Sequence, residues 1–485
     1  MFFTKTLRNT IINSRLRENQ QGGCIMFFQQ FKVTGLGCLS YIIGCPQDGR
    51  GIVVDPKRDI KDYLVTAKQN KMKISHIIET HVHADHISGA MELRQATGAP
   101  IYIGAGSPVF YEHQPLNDGD TFTIGSVNMQ VIATPGHTPH SISLAVADLS
   151  RSKLPQMLLT GDLLFVGSIG RPDLAGNELL DEQIKNLYNS LYTKLSRFGD
   201  YVEIYPAHGE GSLCGAGLSA KPSSTLGYER HTNPYLKLSR EEFKKALEQN
   251  QPHRPQNFSS IIETNRHGAA IEEELPVPRQ KNPAAIANYL QNPEQYTLVD
   301  LREAASFGGA HIPGSLNIGL SPNSATWMGN VVDTKKKIVL LADSQEQISQ
   351  AIASFRRVGY DQIIGYSLGL SDWILNGRET GFLPQISVHA LQKVLTKYGN
   401  HTVIDVRTPT EWQAGHLENA IHLPLPQLIA EGITLELNDH ISVICGSGYR
   451  SNIAGSMLKT KGYKNVYSVI GGMMAWRMAD FKMAS

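Results

Sequence analysis

From Phe27 to about Pro206 the apolar positions fall into short runs separated by turn residues. Ser40–Gly44 and Gly51–Asp55 flank Pro46–Gly49, a pattern that predicts two strands and a tight turn. Ile60–Asn70 carries apolar residues at helical spacing. Ile74–Glu79 is dense in isoleucine and predicts a strand buried on both faces. Further strands are predicted at Ile101–Ile103, Val127–Thr134, Ile142–Val146, Met157–Thr160 and Val202–Tyr205. Many strands with few long helices between them suggest two stacked sheets with helices outside.

The pattern then breaks. Gln251–Gln256 and Glu272–Pro283 are rich in proline and polar residues and read as linkers around a polar segment. Beyond them the chain repeats itself. Val299-Asp300-Leu301-Arg302 and His311 return as Ile404-Asp405-Val406-Arg407 and His416, each 105 residues later. Gly359-Tyr360 and Trp373 return as Gly462-Tyr463 and Trp476, each 103 residues later. A period near 100 is too long for a solenoid, so the repeat is a duplicated domain. Strands alternating with helices in each copy predict a mostly parallel sheet. The expected organisation is an extension over residues 1–25, a first domain over 26–255, a linker over 256–283, and the two copies over 284–382 and 385–485.

Composition narrows the class. A chain of 485 residues is too long for one core, and roughly 150 residues per domain gives about three. With 45 basic and 44 acidic residues, no charge bias favours nucleic acid or an anionic membrane, and no apolar run reaches a membrane span. Cys24, Cys38, Cys45, Cys214 and Cys445 are sparse and odd in number, which argues against a disulfide framework and for a reducing compartment, by default the cytoplasm. Lys5, Arg8, Arg15 and Arg17 precede the first acid, a bias shared with transit peptides. Met26-Phe27-Phe28 repeats Met1-Phe2-Phe3, however, so residues 1–25 read as a disordered extension.

Two motifs carry chemistry. The first is His81-Val82-His83-Ala84-Asp85-His86, placed where the buried strand Ile74–Glu79 ends. His137, Asp162 and His208 follow at the ends of later apolar runs, each beside glycine or proline, as ligands on tight loops would be. The second is Cys445-Gly446-Ser447-Gly448-Tyr449-Arg450, between a predicted strand (Ile441–Ile444) and a predicted helix (Arg450–Thr460). Such a loop aims backbone N–H groups and a helix N-terminus at the cysteine sulfur, which favours a nucleophilic thiolate. Arg450 is expected to close the ring by hydrogen bonding. In the first copy Ala342 stands opposite Cys445 and Gln347 opposite Arg450, so that copy has neither nucleophile nor arginine.

The histidine motif and the later donors resemble the metallo-β-lactamase superfamily, which implies an αββα sandwich with the site at one sheet edge. All seven ligand positions of dinuclear members are present, so the donors alone leave a two-zinc hydrolase such as glyoxalase II open. Thr80–Gly89, with Gly161-Asp162 and Gly170-Arg171-Pro172-Asp173, is similar to the persulfide dioxygenase branch. That resemblance implies one Fe(II) per chain, the alternative being zinc, on His81, His137 and Asp162. This two-histidine, one-carboxylate face suits non-haem iron and O₂. His83, Asp85, His86 and His208 would support the site or hold a second metal. The last copy resembles a rhodanese domain and the copy before it an inactive one. Gly209–Arg230 resembles the multidomain persulfide dioxygenase–sulfurtransferases, which implies a role for Cys214 beside the iron. Cys45 matches a cysteine of the same proteins, and Arg171 and Cys45 are substrate-binding candidates.

The expected fold is therefore multidomain α/β and α+β, an αββα sandwich followed by two rhodanese-like domains. The expected reactions are oxidation of a small thiol persulfide by O₂ to sulfite, and sulfur transfer through Cys445 to sulfite, giving thiosulfate. A glyoxalase II-like zinc thioester hydrolase fused to a sulfurtransferase is the alternative. Nucleic acid and membrane are not expected partners, and the resemblance is compatible with a homo-oligomer.

Overall fold

The computed structural model describes residues 25–215, 217–249, 254–397 and 401–484. The extension expected over residues 1–25 lies, apart from Ile25, outside them.

Two six-stranded sheets face each other in the first domain. One runs in chain order through Phe27–Lys32, Leu39–Cys45, Arg50–Val54, Lys73–Glu79, Ile101–Gly104 and Gln114–Leu116. The other contains Thr121–Ile124, Val127–Ala133, Ile142–Asp148, Met157–Gly161, Glu203–Pro206 and Ser224–Thr225. Strand alternation explains the layering. Tyr41 and Ile43 point into the core between the sheets, with Val131, Leu144 and Leu159 opposite. Ile42 and Val53 point outward, under helices Lys61–Gln69 and Ala90–Thr97. Ile132, Leu158 and Ile204 are covered by the helical segments that carry Ile184, Leu187 and Phe243. The layers are thus helix, sheet, sheet, helix, and every predicted strand of this domain is present within a residue or two of its expected ends.

The two copies each form a five-stranded parallel sheet of the same topology. Their shared residues do the same work in both. Arg302 pairs with Asp300 at 2.6 Å and caps Ala310 O, while Arg407 pairs with Asp405 at 2.6 Å and caps Gly415 O. His311 stacks on Phe307 and His416 on Trp412. Trp373 and Trp476 each donate the indole N–H to a carbonyl six residues on.

The stretch expected to be linker carries helix Phe258–His267, which is packed rather than free. Ile261 is fully buried in a core shared by the first domain and the first copy, with Leu36, Cys38 and Ile87 on one side and Met328, Phe355 and Tyr360 on the other. Arg357 pairs with Asp59 at 2.5 and 2.8 Å, and Arg58 with Asp361 at 2.5 Å, at the rim of this junction. A Cβ on Gly35 would lie 1.7 Å from Pro322 O, so the two surfaces meet backbone to backbone there.

Candidate functional site

The strand Lys73–Glu79 ends at the inner edge of its sheet and delivers Thr80 and the histidine motif to the base of the sandwich. Strand Met157–Gly161 delivers Asp162, and strand Glu203–Pro206 delivers His208. All seven expected donors are buried here, none more than 6% exposed.

Their roles differ by geometry. The Nδ1–H of His81 donates to Thr80 Oγ1 at 2.9 Å, and that hydroxyl donates to Asp55 Oδ2 at 2.9 Å. His137 Nδ1–H donates to Arg171 O at 2.7 Å. A carbonyl only accepts, so the His137 proton sits on Nδ1 and the Nε2 lone pair is free. Asp162 accepts from His208 Nδ1 at 2.6 Å through Oδ1. His81 Nε2, His137 Nε2 and Asp162 Oδ2 are left buried without a hydrogen-bond partner, with the carboxylate oxygen 3.7 Å and 3.3 Å from the two nitrogens. Three orphaned donors facing one point cost several kcal/mol in total unless something fills the point (about 1–3 kcal/mol each). Their donor set fits a metal ion.

Electrostatics agree with that division. Burial, then the neighbouring His83, push His81 well below the usual imidazole range, and burial lowers His137. Both stay neutral, as metal ligands must. Burial works to raise the Asp162 carboxyl, but the facing imidazoles, His208 foremost, outweigh it and hold it down as carboxylate.

His83 does not join them. Its Nε2 lies 3.2 Å from Asp55 Oδ1 and 3.0 Å from Glu79 Oε2. Burial opposes protonation of this ring, but the two carboxylates win and raise it well above its usual value. His208 is likewise raised, against burial, by Asp162 and by Asp85, whose Oδ2 lies 2.8 Å from its Nε2.

A second donor group lies beside the first. Cys38, Asp85, His86 and His208 bring one donor atom each within 4.8 Å of one another. Cys38, given no role in the sequence, donates its thiol to Asp85 Oδ2 at 3.4 Å. No local motif marks it. It arrives because Cys38 bridges to His208 across the sheet edge, a tertiary pairing. Asn265, from the stretch expected to be linker, was also not singled out. Its side chain donates to His83 O and His86 O at 2.9 and 2.8 Å and accepts from Ser88 N, so it holds the histidine loop in shape.

Cys214 sits on its expected loop, within 4.8 Å of donors on Asp162 and His208. Burial, followed by Asp85, raises its thiol well above the usual range. Arg171 is buried beside the site, but its guanidinium pairs with Asp173 at 2.7 and 2.6 Å and reaches Leu213 O. It braces the Cys214 loop. Cys45 does not reach the site: it ends the strand that begins one residue after Cys38, about 20 Å away by strand rise, and it is disulfide-bonded.

In the last domain Cys445 follows strand His440–Ile444 and precedes helix Tyr449–Thr460. Gly448 N donates to Cys445 Sγ at 3.2 Å, and the positive φ of 109° that aims it there is one glycine adopts freely. Gly446 and Ser447 complete the turn. Arg450 lies over Gly446, yet its guanidinium is bound to Glu411 through two bonds of 2.7 and 2.6 Å, not to the sulfur. The Arg450 bonds hold the Glu411 carboxyl down at about 2, against partial burial. Glu411, in the short helix Pro409–Gln413, lies outside the cysteine motif. Tyr449 points away from the sulfur and donates to Gly319 O of the first copy at 2.7 Å. In that copy Ala342 is buried and Gln347 accepts from Asp343 N, so its loop offers no nucleophile.

Comparison with known proteins follows the same division. Residues 33–208 match the model of the metallo-beta-lactamase superfamily, and residues 283–376 and 387–479 each match that of the rhodanese-like domain. A crystal structure of a metallo-beta-lactamase from Staphylococcus aureus subsp. aureus COL is 32% identical with a TM-score of 0.64. It is covered over 99% of its length and covers 71% of this chain, so the likeness extends past the first domain. The persulfide dioxygenase ETHE1, mitochondrial, of Bos taurus is 27% identical over 53% of this chain and 93% of its own length. A hydroxyacylglutathione hydrolase of Polaromonas sp. is 30% identical over 35% of this chain and 61% of its own. No described helix is long and apolar enough to cross a membrane.

Proposed function

Because the chain belongs to the metallo-β-lactamase superfamily and carries two rhodanese-like domains behind that fold, we propose that it is an Fe(II)-dependent persulfide dioxygenase coupled to a thiosulfate-forming sulfurtransferase. The observation that carries this reading is that ligand atoms of His81, His137 and Asp162 lie within 4.8 Å of one another, a group that His83, whose Nε2 faces Asp55 and Glu79, does not enter. A dinuclear hydrolase needs His83 as a ligand; a one-iron face does not.

Iron held by His81, His137 and Asp162 would supply redox chemistry with O₂ and a place for the substrate sulfur. The chain's own residues do the rest. Thr80 and Arg171 O fix the two imidazole tautomers, and His208 orients the carboxylate. Overall, persulfide, dioxygen and water give thiol, sulfite and two protons.

At the other centre the Cys445 thiolate attacks the outer sulfur of a second persulfide. A Cys445–S–S⁻ bond forms and the carrier thiol leaves. Sulfite then attacks the same outer sulfur, thiosulfate leaves, and the thiolate returns. Gly448 N–H stabilises the sulfur anion in both resting and loaded states. The two centres share one chain, which raises the effective concentration of sulfite at its acceptor. The cytoplasm is the proposed location, and the disulfide on Cys45 departs from the free thiols expected of a reducing compartment.

One feature favours the zinc hydrolase reading: Asp85, His86 and His208 gather with Cys38 into a second donor set. Anaerobic iron loading, metal analysis and O₂ uptake on added persulfide separate the two. One iron with oxygen consumption is expected. Two zinc ions per chain and no oxygen consumption would sink the dioxygenase.

A further inference from the structure

Residues 83–87 of the histidine loop are buried, where backbone N–H and C=O groups need partners. Four groups of this loop find them outside the first domain. The Asn265 side chain donates to His83 O at 2.9 Å and to His86 O at 2.8 Å, and accepts from Ser88 N at 3.0 Å. The Ile87 N–H donates to Arg357 O of the silent copy at 2.7 Å. The loop that carries the metal donors is thus shaped from beyond the sandwich it edges.

Both partners are anchored in the silent copy. Asn265 lies in the last turn of helix Phe258–His267. At the other end of that helix, Asn257 donates its N–H to Gly329 O at 3.3 Å and its side-chain amide to Val358 O at 3.2 Å. Midway, Ile261 is buried in the core it shares with Phe355 and Tyr360. The helix is a strut about 15 Å long, with one end on the silent copy and the other on the metal loop.

Arg357 is the C-cap of helix Gln345–Arg356. The last carbonyls of a helix lack partners within it, and the first domain supplies donors for two of them. Ile87 reaches Arg357 O, and the Arg58 guanidinium donates to Arg356 O at 2.7 Å. The counterpart of this helix in the last domain, Tyr449–Thr460, begins at the Cys445 loop. In the silent copy the same helix starts at a loop without a nucleophile and ends on the metal loop.

We propose that Asn265 is a positioning residue of the metal centre, and that the silent rhodanese-like domain serves the oxygenase as the anchor of its metal loop. The proposal rests on the reading that His81, His137 and Asp162 hold a metal ion. Asn265 acts through the backbone of His83 and His86, on the loop that His81 opens. A planar amide, with two donors and an acceptor, can fix three backbone groups of one turn at once.

The test is Asn265→Leu in the full chain, which keeps the size of the side chain and removes its three hydrogen bonds. Iron retention against a graded chelator series is expected to fall roughly tenfold, as when an orienting partner is lost. The d–d absorption of cobalt(II) loaded in place of iron is expected to change shape, which reduced stability alone would not cause. Asn257→Ala, at the far end of the strut, is expected to lower iron retention by a smaller factor. Thermal midpoint and circular dichroism report folding, and if Asn265→Leu does not fold, Asn265→Ser repeats the test with room for water. Unchanged iron retention, or an unchanged cobalt spectrum, in a folded Asn265 variant overturns the proposal. Retention lowered by the Asn265 variant and untouched by Asn257→Ala overturns the anchoring role of the silent copy. Amide exchange over residues 83–88 of the metal-free full chain is expected to quicken in both variants. If the wild-type chain binds no metal, the metal reading has failed, while amide exchange still decides whether Asn265 and the silent copy hold the loop.

Discussion

His208 Nδ1 lies 2.6 Å from Asp162 Oδ1, and that bond leaves the other carboxylate oxygen facing His81 and His137. In the proposed centre His208 would act as a positioning residue for the metal face. Replacing it with alanine should weaken iron binding roughly 10- to 100-fold, the usual effect of losing an orienting partner. Iron content after dialysis against a graded chelator series measures this. The same change leaves Asp85 and Asp162 buried without their shared cation, so the apo protein should also melt earlier. Iron retention equal to wild type would show that Asp162 needs no help.

Cys445→Ser removes the only buried free thiol of the last domain. Thiosulfate should vanish while sulfite continues to accumulate from persulfide and O₂. Both anions can be followed in one chromatographic assay. Loss of both would refute the assignment of separate reactions to the two centres.

Glu411 makes a pH prediction. Its folded value, about 2, lies below the ordinary 4.5, so its bond with Arg450 favours the folded state above that ordinary value. As pH falls from about 4.5 through about 2 the carboxylate protonates and the contribution is lost. Glu411→Gln should therefore lower stability near neutrality by a modest amount, since the pair is partly exposed. The gap between variant and wild type should close over that acid range in urea titrations. The same variant frees Arg450, so KM for sulfite at the Cys445 loop should fall.

Gly35→Ala tests the junction between the first domain and the silent copy. The new methyl would meet Pro322 O, and φ is +89°, where any residue but glycine is strained. Destabilisation of at least about 2 kcal/mol is expected. Chemical denaturation, with limited proteolysis at the junction, checks it. A neutral result would mean that the two domains do not hold this contact in solution.

Much of the scaffold was legible because it rests on local preferences. The run Lys73–Glu79 reads as a strand because its isoleucines and its short length suit a sheet buried on both faces. Its delivery of the histidine motif follows from chain continuity. The edge strands Gln114–Leu116 and Ser224–Thr225 were not legible, since short polar segments take their conformation from a neighbour's unpaired backbone. Helix Phe258–His267 escaped for a related reason: its polar segment becomes helical where Ile261 finds a core contributed by other domains.

By itself, the order of residues determined the chemistry available: seven metal donors on strand ends, one cysteine loop, and a twin loop with alanine in its place. It determined the duplication as well, because the displacements of Asp300 and His311 (105) and of Trp373 (103) nearly coincide in the one-dimensional pattern. Which donors act together was decided only in three dimensions. His83 turns to Asp55 and Glu79, Cys38 enters beside Asp85 while Cys45 is left at the far end of its strand, and Glu411 captures Arg450. Apart from the His83–Glu79 contact, these pairings join residues dozens of positions apart. Spacing encodes dihedral preference and periodicity; burial and charge pairing across such distances exist only once the layers have packed.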